Sequence, residues 1–129
     1  MVVRITINVL RVAALLALIL GILDWTGHPL GSILIHMFLG FIVVLTLWIL
    51  GGAIVSTKGG TGLGIGAFVL GLVVLLWGLF QTRILPEPNS AHWIVQVIHL
   101  IIGLSAIGMG EAIAGRYRRQ SQVATMQAR

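Results

Sequence analysis

His99-Leu100-Ile101-Ile102-Gly103 lies in the middle of one apolar run, and His36-Met37-Phe38-Leu39-Gly40 lies in another. Each sets an imidazole among hydrocarbon side chains, with a glycine four residues later. Residues i and i+4 share a helix face, so each run reads as a helix with an imidazole above a bare patch of backbone. The surrounding runs, 30–50 and 91–114, are long enough at ~1.5 Å per residue to cross ~30 Å of hydrocarbon. Two further runs, 5–25 and 63–82, have the same character. The sequence predicts an all-α, integral membrane, up-down four-helix bundle. It fills 1–129 as a single membrane domain, with 115–129 as a basic, partly disordered tail.

Composition agrees. The chain has 129 residues, 58% hydrophobic and 9% charged, too little polar surface to cover a soluble core. The absence of cysteine excludes disulfides, thiolate ligands and a CxxCH attachment site. The net charge of +5 suggests nucleic acid only in a soluble protein. Here it reads as basic residues at a membrane face, with the lipid bilayer as partner and no nucleic acid.

In the first span, Arg11 is expected to snorkel to one interface and Trp25 to mark the other. A signal peptide is the rival reading, since Arg4 and Arg11 precede a Leu/Ala-rich core. No A-x-A-like site follows, and Asp24-Trp25-Thr26-Gly27-His28-Pro29 reads as a turn, which favours a retained helix. Pro29 suits the first turn of the second helix, and Gly51 and Gly52 are expected to end it. The loop Ser56-Thr57-Lys58-Gly59-Gly60-Thr61-Gly62 is glycine-rich but lacks the GxxxxGK[ST] order, so it reads as a hairpin. The third span carries Gly64, Gly66, Gly71 and Gly78 for close helix approach. A proline-broken loop follows, and Ser90 suits an N-cap. In the fourth span Ala106, Gly110 and Ala114 form a small-residue stripe. Glu111 reads as an interfacial carboxylate near Arg116, Arg118 or Arg119, with a proton relay as the alternative.

Four spans put Arg4, Arg11, Lys58, Arg116, Arg118, Arg119 and Arg129 on one side, and Arg83 alone on the other. The positive-inside rule then places both termini in the cytoplasm, at the inner (plasma) membrane of a bacterium by size and style. The chain also reads as a tandem two-helix repeat, His36-x3-Gly40 answering His99-x3-Gly103. Tandem copies run parallel, so the two histidines share a depth in the outer half and can face each other diagonally across the bundle. An ionisable residue inside a span is a functional candidate. Facing imidazoles suit iron, copper or zinc. Copper and zinc want more ligands than these spans offer, whereas haem iron needs only two because the porphyrin supplies four nitrogens. Structural histidines bonded to neighbouring helices are the plainer alternative.

This layout resembles the membrane cytochrome b superfamily, whose four-helix core holds haem between histidines on its second and fourth helices. The resemblance covers about 10–115, in architecture only. It implies haem b, with His36 and His99 as axial ligands and with Gly21 and Gly78 clearing space for the porphyrin. The di-haem family carries a second histidine 13 or 14 residues further along each ligand helix. Those places here hold Ile49 or Leu50, and Ala112 or Ile113. The resemblance therefore implies an outer-side haem only. Gly40 and Gly103 let the macrocycle edge approach. Arg83 is a candidate partner for a haem propionate. His28 and His92, near the outer mouth, read as propionate, quinol or second-metal contacts, or as wet interfacial side chains.

The expected function is a membrane b-type cytochrome that moves single electrons between a quinol or membrane redox partner and an outer-side acceptor. The alternative is a non-catalytic small subunit or anchor of a larger membrane complex, in a homo- or hetero-oligomer. A transporter or channel fits less well, because the spans lack a central carboxylate or a pair of broken helices.

Overall fold

The computed structural model describes residues 1–28, 33–84 and 90–127. They form four helices: α1 (Val2–Trp25), α2 (Ile33–Val55), α3 (Thr61–Ile84) and α4 (His92–Gln127). Pro29 and most of the loop after Ile84 lie outside the described residues. Each helix is long and apolar enough to cross a membrane. Their outward faces carry large exposed hydrophobics, among them Leu34, Phe38, Ile65, Val69 and Ile101, which fits contact with lipid.

The helices pack in sequence order, and α4 closes back on α1. Antiparallel neighbours follow from the contacts. His36 near the start of α2 meets Ala17 near the end of α1, Trp48 meets Phe68, and Trp77 meets Val95. The diagonal helices α2 and α4 touch through the centre, whereas α1 and α3 do not meet.

Local chemistry sets the helix ends. At the end of α1, Gly27 takes φ +78°, its N–H bonds to Asp24 O, and the His28 N–H bonds to Leu23 O. These two bonds make a Schellman stop, which favours glycine at the left-handed position. The α2–α3 turn closes where the Thr57 N–H and hydroxyl both donate to Ile54 O.

Two helix ends differ from expectation. The glycines Gly51 and Gly52 do not end α2, which runs on to Val55. In apolar surroundings water does not compete for the helical hydrogen bonds, and Gly51 is used for packing instead. A Cβ there would lie 3.0 Å from the Ala67 Cβ and 3.2 Å from Gly64 O. The chain beyond residue 114, expected to be a partly disordered tail, continues α4 to Gln127. It is rich in helix formers, and Arg116 and Gln120, one turn apart, both donate to Lys58 O at 3.3 and 3.2 Å.

Glu111 does not pair within its own helix. It forms a two-pronged ion pair with Arg11 across α1 and α4, Nε–Oε1 2.6 Å and Nη2–Oε2 2.8 Å. Arg118, two turns along the same helix, acts on Glu111 only through its charge, whereas the fork of Arg11 reaches the carboxylate from the neighbouring helix directly.

The buried core is one-sided. Val3, Ile7, Leu10, Ala13, Ala14, Val43, Leu47, Leu50, Ile54, Ala67, Ala106, Ile113 and Ala114 form one cluster. All belong to the end where α1 begins and α4 finishes, or to the bundle middle. Beyond Ala14, Val43 and Ala106, Val95 alone among the described hydrophobics is fully buried. The opposite end carries the histidines.

Candidate functional site

His36 on α2 and His99 on α4 face each other across the bundle axis. Their ring centroids are 5.9 Å apart and their planes inclined at 47°. Each ring lies seven residues, or ~10 Å along its helix, past the last core residue, Val43 or Ala106.

The two rings are held differently. His36 Nδ1–H donates to Ala17 O at 2.9 Å. That bond fixes the tautomer and leaves the Nε2 lone pair for another partner, the usual second-shell arrangement of a metal-ligating histidine. His99 Nδ1 is buried and makes no hydrogen bond, the one such side-chain atom among the described residues. Buried polar atoms are nearly always satisfied, so an orphan points to a missing partner, a strained site or a functional role.

Glycines surround the pair. A Cβ at Gly21 would sit 3.2 Å from His36 Cε1, and one at Gly78 would sit 3.8 Å from His99 Cε1. One turn below each histidine, a Cβ at Gly40 or Gly103 would meet nothing within 4 Å, although both positions are half-buried. The site thus combines two imidazoles, bare backbone against each ring and open space beneath them, in the half of the bundle where Val95 is the one fully buried hydrophobic among the described residues.

Arg83 is exposed in the last turn of α3, with its guanidinium carbon 5.6 Å from the Phe80 ring centroid. His28 is exposed and donates from Nδ1 to Thr26 O at 3.1 Å. His92 opens α4 and is half-buried. The Ala17 carbonyl is a site component with no sequence signature, because every residue carries one.

The donor set limits the chemistry. Among the described residues no group of three or more His, Cys, Asp or Glu side chains gathers, which does not suit zinc held by three or four protein ligands. Two imidazoles suffice for an iron that brings its own four nitrogens. Metal–nitrogen bonds of ~2.0–2.1 Å require facing nitrogens about 4 Å apart. Such a pair would have its ring centres about 6.3 Å apart, and the observed 5.9 Å falls slightly short of that, so the rings must part a little to admit a metal. Two imidazoles flanked by glycines are a donor set compatible in kind with a flat macrocycle that brings its own nitrogens.

Comparison with known proteins returns no match: no family model fits the chain, and no curated protein and no solved structure is significantly similar to it.

Proposed function

We propose that this chain is an integral membrane b-type cytochrome with one haem held by His36 and His99. Its four helices cross a bacterial cytoplasmic membrane with both termini in the cytoplasm, and the histidines lie in the outer half. The observation that carries this reading is the close pair of histidines on α2 and α4, 5.9 Å between ring centres, outside the main buried cluster of the described residues.

A haem bound there supplies one-electron redox chemistry, its potential tuned by the axial imidazoles, burial and hydrogen bonding. The chain's own residues do the rest. Ala17 O holds His36 in the tautomer that presents Nε2. Gly21 and Gly78 keep side chains off both rings. The apolar walls of α2 and α4 exclude water. Ile49, Leu50, Ala112 and Ile113 occupy the positions where an inner pair of ligands would stand, so the chain alone does not carry electrons across the whole membrane. It exchanges them between a quinol or membrane redox protein and an acceptor on the outer side.

The test uses protein reconstituted in vesicles. A quinol analogue is expected to reduce the chromophore, and a membrane-impermeant oxidant outside vesicles of native orientation to reoxidise it. A chromophore inert to quinols, or accessible only from the side of the termini, contradicts the proposed electron path.

Gly21→Leu is expected to push the His36 ring off Ala17 O and lower haem occupancy about tenfold, the low end of second-shell effects. Gly52→Leu, at a position with nothing within 4 Å of a Cβ, is expected to keep full occupancy. Haem quantified per chain distinguishes the two.

A further inference from the structure

At the opposite end of the bundle the α2–α3 turn and the extension of α4 form a shallow, open depression. Thr57 and Lys58 on one side, and Arg119, Gln120, Val123 and Ala124 on the other, line a concavity of about 560 Å³. Arg116 and Gln120 both donate to the Lys58 carbonyl, and Thr57 is tied to Ile54 O. The concavity is therefore braced rather than made by a loose loop. Its side chains supply two cations, Lys58 and Arg119, and neither forms an ion pair among the described residues. The nearest carboxylate along α4, Glu111, is bound to Arg11.

We propose that this concavity binds the headgroup of an anionic phospholipid, with the phosphate between Lys58 and Arg119 and the glycerol end against Val123 and Ala124. The inference rests on the membrane insertion described above. With α2 and α3 spanning the bilayer, their connecting turn marks its surface. Headgroups occupy ~5–8 Å beyond the hydrocarbon on each side. Arg119 stands three residues past Arg116, which is level with the turn, and so lies about 4–5 Å above it, inside that layer. Basic residues there attract anionic lipid. The apolar wall of Val123, which is 54% exposed, and Ala124 favours a lipid over free inorganic phosphate, which has no apolar part to cover it.

The experiment is native mass spectrometry of the full chain in mild detergent, titrated separately with phosphatidylglycerol, phosphatidylcholine and inorganic phosphate. Retention of phosphatidylglycerol well above the other two is expected. Lys58→Ala and Arg119→Ala should each weaken it roughly 5-fold, and the double variant roughly 30-fold. Arg118→Ala, outside the concavity, should change it less than about twofold. The charge-conserving pair Lys58→Arg with Arg119→Lys should retain it. Equal binding of phosphatidylcholine, equally tight binding of phosphate, or an Arg118→Ala loss matching Arg119→Ala would overturn the proposal. A chain that stays monodisperse without detergent would instead overturn the membrane reading beneath it.

Discussion

His99→Ala and His36→Ala are each expected to purify with less than roughly a tenth of the wild-type haem, while still inserting and staying monodisperse in detergent. The loss is large because each helix contributes a single ligand, and no third His, Cys, Asp or Glu gathers with the pair among the described residues. Folding should survive. His99 Nδ1 is buried without a partner, so its removal deletes a desolvated polar atom rather than a stabilising bond. His36→Ala gives up one hydrogen bond to Ala17 O, worth about 0.6 kcal/mol on average in membrane proteins. His28→Ala and His92→Ala are expected to keep their haem. Pyridine haemochrome quantification across the four variants checks this. Full occupancy in both His36→Ala and His99→Ala would sink the ligand assignment.

The second large effect lies in the α2–α3 turn. Gly60 is buried, and a Cβ there would overlap the Ile54 carbonyl oxygen and lie 2.6 Å from Thr57 Oγ1. The obstacle is backbone. The Ile54 oxygen also anchors the turn by accepting both the N–H and the hydroxyl of Thr57. Gly60→Ala must therefore open the turn. We expect a loss of about 3 kcal/mol, the upper end for overpacking, read as a fall of roughly 10 °C in the midpoint of thermal unfolding in detergent. Gly62→Ala, two residues on, meets nothing within 4 Å and removes a glycine from a helix. It should leave the midpoint unchanged or raise it. Equal midpoints for the two variants would contradict the turn geometry.

The four helices were legible because length and hydropathy suffice to mark them, and the termini erred where hydropathy is silent. Gly51 and Gly52 look like a stop in a list of propensities, but Gly51 is used to pack α2 against Ala67 and Gly64 of α3. The α4 extension is polar, which suggested disorder. It is helical because Arg116 and Gln120 brace it on Lys58 O, a contact 58 residues away in sequence. The Arg11–Glu111 pair was missed for the same reason, since charges on different helices carry no local spacing. At the site, the tandem spacing of His36 and His99 is visible in the letters, and so is the glycine content. The Ala17 carbonyl and the orphan Nδ1 are properties of packing and have no letter.

The central claim is the haem, and the most direct measurement is a reduced-minus-oxidised visible spectrum of the detergent-purified protein, with haem quantified per chain. Sharp low-spin b-type bands at one haem per chain are expected. A protein that contains no haem after expression with ample haem supply would contradict that claim. His36 and His99 would then be helix-packing residues, and the chain would read as a small subunit or anchor of a larger membrane complex.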